Sequence, residues 1–311
     1  MKVNDLTVVV CCNRKDVFLA RICIASIRYY YPDIDIELVK DPGNGTFNTH
    51  ELEKYFGVHV VDLGIPKLGW GASKIHYLAK VPEGKKILLI DADIVFISPF
   101  LERLKEVISS HDWVVNYEVV QDPCDAFIAE TYYDFFKIIE AYPKFTYPGF
   151  VFNTGQLFIT GGPVSREQLE PFFDFDHYPF WKQRKLFPMV DQSMLNILLP
   201  ILSSENKLKV GTERFMLWGM SDAVMNLSLK AIQEKKLTDG LIHWAGCMRI
   251  PCVRKMSRGD ILLFFESYYY EKVPFGVYRK RVNRTISWFD FNLRGIYRRS
   301  IKKRFGRIFR I

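Results

Sequence analysis

The sequence predicts an α/β protein, an open and mostly parallel mixed sheet with helices on both faces. Three observations predict it. Residues 6–12 (LTVVVCC) are continuously apolar and rich in β-branched side chains, the pattern of a strand buried on both faces. Strand and helix periods then alternate through the first hundred residues, the order that yields parallel strands joined by crossover helices. A second buried-strand run, residues 85–96 (KKILLIDADIVF), carries two carboxylates in its second half.

The elements follow in order. Residues 17–30 set Leu19, Ile22, Cys23, Ser26 and Ile27 on one helical side, and Pro32 stops that helix. Residues 34–40 alternate as a strand, residues 41–45 (DPGNG) carry loop chemistry, residues 51–56 are helical and residues 58–63 (VHVVDL) form a third strand. Residues 72–80 form the helix that leads into the run at 85–96. In such sheets ligands bind beyond the carboxyl ends of the strands, so residues that end strands are the candidates for chemistry.

Composition narrows the class. The chain has 311 residues, 25% of them charged and 15% aromatic, which excludes a disordered polypeptide. Six cysteines form no CxxC pair, and His243, Cys247 and Cys252 lack a fourth ligand at zinc-site spacing. Packed thiols in a reducing compartment are the expectation. The first apolar stretch, about six residues, is too short for a signal-peptide core. The longest uncharged run, residues 145–165, is interrupted by Pro148, Gly149, Asn153, Gly155, Gly161, Gly162 and Pro163, unlike a lipid-spanning helix. The expected location is cytoplasmic.

Asp91-Ala92-Asp93 stands where the apolar run Leu88, Leu89, Ile90 emerges. On an extended chain residues two apart share a face, so both carboxylates reach one cation. Like charges in a half-buried setting are costly without a cation or proton, and all-oxygen ligation suits Mg2+ or Mn2+ with substrate phosphates as further partners. Carboxylates this close cannot flank a glycosidic bond from opposite sides, which argues against a glycosidase pair. Further on, residues 152–159 (FNTGQLFI) offer Asn153, Thr154 and Gly155 at an apolar strand. Residues 190–199 (VDQSMLNILL) open an amphipathic helix with Asp191 and Gln192, Asp191 also fitting a helix cap. Residues 241–246 (LIHWAG) bring His243 after a short strand and Gly246 for close backbone approach, and Lys74 lies on the helix before the DAD run.

The segments IDADIVF, FNTGQLFI, DQSMLN and HWAGCMR resemble, in order and spacing, the retaining GT-A glycosyltransferases of the glycogenin and bacterial lipooligosaccharide galactosyltransferase type, over roughly residues 6–250. The resemblance implies a GT-A (Rossmann-like) nucleotide-sugar fold, a UDP-sugar donor and Mn2+ (or Mg2+) as metal. It implies metal ligation by Asp91, Asp93 and His243, and donor-sugar contacts from Asn153 and Gly155. It places Asp191 and Gln192 beside the anomeric carbon and Lys74 within reach of the donor. Asn13, Ala92, Thr154 and Gly246 complete the expected donor-binding set. Three positions depart from the family pattern. The diphosphate-contacting lysine is Arg249, which keeps the charge and changes the geometry, and Ile250-Pro251 follows it. Ser193 replaces the last acid of a DQD triplet. Cys11-Cys12-Asn13 stands where such enzymes hold uracil.

The net charge of +8 is unevenly placed. Residues 279–311 hold twelve basic side chains and one acidic, so residues 1–278, with 31 basic and 34 acidic, are mildly acidic. Leu293, Tyr297, Ile301, Phe305 and Phe309 trace a helical stripe through this basic tail. Such a helix is expected to lie in an anionic lipid interface. The expected organisation is a catalytic domain, residues 1–262, and a basic, aromatic, membrane-associating segment, residues 263–311, acting on a glycan or lipid-linked glycan. Two other classes share these features: a catalytically silent nucleotide- or glycan-binding protein of the same fold, and a nucleic-acid-binding protein using the tail. The acidic body disfavours the latter.

Loop aromatics between Gly162 and Phe187 (Phe172, Phe173, Phe175, Tyr178, Phe180, Trp181) are expected to line an acceptor groove or lid. His50, His59, His76, His111 and His177 are expected at the surface or in capping positions.

Overall fold

The computed structural model describes residues 3–69, 71–238 and 240–305, with the backbone alone for residues 4 and 296–305. The N-terminal half runs β1 (Leu6–Asn13), α1 (Val17–Tyr30), β2 (Asp35–Asp41), α2 (His50–Phe56), β3 (Val58–Asp62), α3 (Ala72–Leu78) and β4 (Lys86–Asp91). It continues through β5 (Ile94–Phe96), α4 (Leu101–Ser110), β6 (Trp113–Val119), α5 (Ala126–Thr131), α6 (Phe135–Ala141), β7 (Phe150–Thr160) and α7 (Arg166–Leu169). Then come α8 (Val190–Ser204), β8 (Val210–Glu213), β9 (Met216–Trp218), α9 (Asp222–Met225), α10 (Leu229–Gln233), β10 (Leu241–His243), α11 (Gly259–Lys272) and α12 (Gly276–Phe305).

Among the described residues seven strands form one sheet in the order β3-β2-β1-β4-β7-β6-β8, and β7 alone runs against the rest. Alternation along β1 supplies both faces: Val8, Val10 and Cys12 enter one core layer with α1 and α11, while Val9 and Cys11 enter the other with α3 and α8. The register sets Asn13 beside Asp41 and Cys11 beside Asp91, so strand ends with polar side chains gather at one rim.

One strand reads differently from the expectation. The run 85–96 is two strands, broken by a turn at Ala92 and Asp93. β4 stays in the large sheet, whereas β5 joins a three-stranded sheet in the order β5-β10-β9. Pairing with β10 sets Ile94 opposite His243, which captures the continuing apolar run for the second sheet. β7 likewise carries Asn153, Thr154 and Gly155 inside the strand. Between the pairs Val115–Leu157 and Tyr117–Phe152, Asn116 of β6 faces residues 153–156 of β7, a bulge that lifts this segment from its neighbour.

Most of the aromatic loop is core, with Phe175 partly buried and Tyr178 exposed. Phe172, Phe173, Phe180 and Trp181 are buried, and His76 sits among them in edge-on contact with Phe173, Phe175 and Phe180. Burial, with Lys80 and Arg166 nearby, lowers the His76 pKa to about 4, so this imidazole is a neutral packing residue, and the surface expectation for it is corrected. The aromatic rings gain from burial against one another, while the interleaved Asp174 and Asp176 stay toward solvent.

The boundary expected at residue 262 falls within α11, where Ile261, Leu262, Phe265 and Tyr269 are buried against the body and Tyr269 stacks on Phe56. α12 then lies against the body through ion pairs. Arg279 meets Glu51 at 2.8 Å, Lys280 and Arg284 both meet the buried Glu266, and Arg14 meets Asp290 at 3.2 Å. Part of the tail's positive charge is therefore spent on docking the helix. The opposite side exposes Tyr278, Val282, Ile286, Phe289 and Leu293, spaced as one helical stripe. The side chains of Tyr297, Ile301 and Phe305, and all of Phe309, Arg307 and Arg310, lie outside the described residues. No helix among the described residues is long and apolar enough to cross a membrane.

Phe265→Ala should lower stability by about 3–5 kcal/mol, because a fully buried ring leaves a cavity in the layer joining α11 to α1. Urea unfolding measures this, and a loss below about 1 kcal/mol would show that α11 is peripheral to the body.

Candidate active site

The rim where β1, β2 and β4 end opens into a cleft of about 770 Å³. Its walls include Asn13, Lys74, Asp91, Asp93, Asn153, Thr154, Gly155, Asp191, Gln192, His243, Gly246 and Arg249, so twelve of the thirteen residues singled out from sequence converge. Ala92, the remaining one, is buried beneath them, and its N–H donates to the Cys11 carbonyl at 3.2 Å.

Asp91, Asp93 and His243 offer ligand atoms that all lie within 4.8 Å of one another. His243 Nε2 is 3.3 Å from Asp93 Oδ1 and 3.9 Å from Asp91 Oδ2. That is the position from which an imidazole lone pair meets a cation held between two carboxylates. The ring is fixed by stacking on Trp218, and its Nδ1 is buried without a hydrogen-bond partner among the described residues. Two carboxylates and an imidazole form a donor set suited to Mn2+ and related divalent ions. The residues fit a divalent metal.

Countercharges surround the pair. Lys74 Nζ lies 2.8 Å from Asp91 Oδ1, 3.4 Å from Asp191 Oδ2 and donates to the Thr154 carbonyl at 3.0 Å. Burial alone would depress the Lys74 pKa, but Asp91 and Asp191 outweigh it and the ammonium is held charged. Arg249 Nη1 bridges Asp16 and Asp93, 3.2 Å from each. Burial works against ionisation of Asp93, yet His243 and Arg249 prevail and pull it down to about 2. Asp91 moves the other way, raised by burial and by the Asp93 charge against the pull of Lys74.

Hydrogen bonds tie the sugar-side residues together. Asn153 Nδ2 donates to Gln192 Oε1 at 2.7 Å, and Asn153 Oδ1 accepts from the Gly155 N–H at 2.8 Å. Thr154 Oγ1 donates to Asp191 Oδ2 at 3.1 Å. Beneath them Asn196 clamps β7 to α8, accepting from the Phe152 N–H and donating to the Phe152 and Gln192 carbonyls. Gly155 has a steric reason: a Cβ there would lie 2.8 Å from His243 Nδ1 and 2.7 Å from Asn153 Oδ1.

Several wall residues escaped the sequence reading. Asp41 ends β2 and Asp16 ends the turn after β1, both at strand ends where the same inspection finds them. Asn13 turns inward locally, donating to Asp16 Oδ2 at 2.7 Å and capping the Lys15 N–H. Phe291, Asn292, Arg294 and Gly295 of α12 also line the cleft, for which the sequence carries no local signal.

Solved structures identify this architecture as the GT-A glycosyltransferase fold. The apo form of the bifunctional glycosyltransferase WbbM matches 88% of this chain with a TM-score of 0.55 and 14% identity, and this chain spans about half, 51%, of the WbbM chain. The galactosyltransferase LgtC, solved with donor and acceptor sugar analogues, matches 85% of this chain and 95% of its own with a TM-score of 0.50 and 15% identity. No protein-family model and no curated protein matches the sequence.

Gly155→Ala should displace His243 while leaving the sheet intact. The expected outcome is about tenfold or greater weakening of Mn2+ binding in a calorimetric titration, with an unchanged far-ultraviolet spectrum. Wild-type affinity would show that the ring position is immaterial to the cation.

Proposed function

We propose that this chain is a metal-dependent glycosyltransferase that moves a hexose from a UDP-sugar to a glycan or lipid-linked glycan acceptor, with retention of configuration. The observation that carries the reading is the meeting of the Asp91, Asp93 and His243 cluster with the Lys74, Asp191, Asn153 and Gln192 network in one cleft of a GT-A fold. Asp91, Asp93 and His243 would hold Mn2+ or Mg2+, which when bound supplies Lewis-acid stabilisation of the charge growing on the leaving diphosphate. Arg249 adds a fixed guanidinium on the same side, one whose charge is already oriented by Asp16 and Asp93.

The sugar side needs orientation more than charge. Lys74, held between Asp91 and Asp191, and the amide of Asn153 would present donors to sugar hydroxyls from positions fixed by protein contacts. Gln192, held by Asn153, is an amide and a feeble nucleophile. We therefore assign the reaction to front-face transfer through an oxocarbenium-like species, its positive charge met by the Asp191 carboxylate and the Gln192 carbonyl oxygen. Gly246, at φ 72°, leaves its backbone close to the donor side.

We further propose that the protein is peripheral on an anionic membrane. Supporting this, α12 exposes an apolar stripe from Tyr278 to Leu293, and the surrounding segment carries a net charge of +11.

Asp93→Asn should reduce Mn2+-dependent UDP-sugar turnover about 100-fold or more while retaining the fold. A screen of UDP-sugars for hydrolysis with Mn2+, repeated in chelator, checks this. Full activity of the variant or in chelator would refute metal assistance, and donor binding without any turnover would favour the silent binding protein. Replacing Ile286, Phe289 and Leu293 together with serine should lower partition onto vesicles containing anionic phospholipid about tenfold or more, read by flotation. Unchanged flotation would remove this stripe from the membrane contact.

A further inference from the structure

α12 is expected from its composition to serve the membrane, yet one turn of it forms a wall of the cleft. We propose that Arg294 is a donor-binding residue, taking the anionic diphosphate of the nucleotide together with Arg249. The inference rests on the donor reading given above and adds to it a ligand-contacting group from the C-terminal helix.

Arg294 lines the cleft together with Phe291 and Asn292. Its place is set by Asp290, one helical turn earlier. The Arg294 Nε donates to the Asp290 carbonyl at 3.1 Å, and Nη2 pairs with the Asp290 carboxylate. The other oxygen of that carboxylate meets Arg14 at 3.2 Å, in the turn after β1 that also carries Asp16. The helix is thereby pinned to the turn at the carboxyl end of β1.

One edge of the guanidinium is satisfied in this way and the other is not. Nη1 is withdrawn from water and has no hydrogen-bond partner among the described residues. A buried cationic N–H group without an acceptor is a costly state, relieved when an acceptor arrives. The remaining edge of the fork, Nη1 with Nη2, matches a phosphate offering two oxygens. Lys74 lies between Asp91 and Asp191 and Arg249 between Asp93 and Asp16, whereas Arg294 shares its one carboxylate partner, Asp290, with Arg14. A nucleoside diphosphate brings two negative charges and several acceptor oxygens into this acidic cleft, and Arg294 has both charge and donors to receive them. A lipid headgroup phosphate offers the same chemistry. Its place in the wall of the cleft that Asp91 and Asp93 also line, off the exposed stripe of α12, favours the nucleotide.

The test is a calorimetric titration of the full chain with UDP and with GDP in the presence of Mn2+, comparing wild type with Arg294→Gln, Arg294→Lys and, as a control on the same helix, the exposed Arg281→Gln. The expected result is about tenfold or greater loss of nucleoside-diphosphate affinity in Arg294→Gln. Lysine should restore part of it, Arg281→Gln should bind as wild type, and uridine or guanosine affinity should be unchanged in all of them. Flotation of Arg294→Gln on vesicles containing anionic phospholipid should match wild type. Wild-type diphosphate affinity in Arg294→Gln, an equal loss for nucleoside and nucleotide, or a loss confined to vesicles would overturn the inference while leaving the donor reading in place. Failure of the wild-type chain to bind either nucleotide would overturn the donor reading and this inference with it.

Discussion

Two carboxylates, Asp91 and Asp93, are held within a few ångströms at the end of a strand whose preceding residues are fully buried. In a low-dielectric setting their repulsion is large, and a folded chain tolerates it only by surrounding them with positive charge. Most of the site can be understood as that surrounding. Lys74 comes from α3 to Asp91, Arg249 comes from the loop after β10 to Asp93, and His243 comes from the second sheet to both. The two cations and the imidazole each arrive on a different element, so the polar demand at one strand end ties three parts of the fold together. Burial, with the Asp93 charge, raises the Asp91 pKa against the pull of Lys74. A divalent ion held by Asp91, Asp93 and His243 would add further positive charge at this strand end.

Preorganisation follows from the same constraint. Lys74 cannot serve Asp91 and Asp191 at once unless α3, β4 and α8 hold fixed spacing. The apolar layer shared by α3, α8 and the inward residues of β1 and β4 holds it. The bulge in β7 then becomes necessary. A regular strand would keep Asn153 and Thr154 on the β6 ladder, whereas the bulge turns them toward Gln192 and Asp191, and Gly155 clears space for the His243 ring. Hydrogen bonds and ion pairs among these groups fix their relative positions, which limits the reorganisation a reaction would require.

Much of this was legible in the sequence, and the reasons differ by element. β1, α1 and the DAD segment announce themselves because their periodicity and their position at a strand end are local properties. The division of residues 85–96 between two sheets was not legible. Ile94, Val95 and Phe96 are as apolar as Leu88, Leu89 and Ile90, and only the distant strand carrying His243 decides where they pair. His76 was misread for a related reason. Its burial depends on Phe173, Phe175 and Phe180, a hundred residues away along the chain. Asp16 and Asp41 could have been found by treating every strand end as the DAD strand was treated. Arg294 could not, since in the sequence it is one of twelve similar charges, and only the Asp290–Arg14 contact singles it out.

The tail's charge therefore divides into three uses that composition merges into one. Arg279, Lys280 and Arg284 meet carboxylates of the body, and Glu266 among these is buried, so its partners matter more than exposed pairs of the same length. Arg294 faces the cleft, and the stripe from Tyr278 to Leu293 remains on the outer side of the helix. A helix that is anchored to the body along one side, completes the cleft at one turn and presents apolar surface on its outer side cannot shift on one of these contacts without disturbing the others. In the proposed reading the membrane-facing stripe and the nucleotide-contacting Arg294 fall on this one helix, which would then set the orientation of the cleft relative to a bilayer.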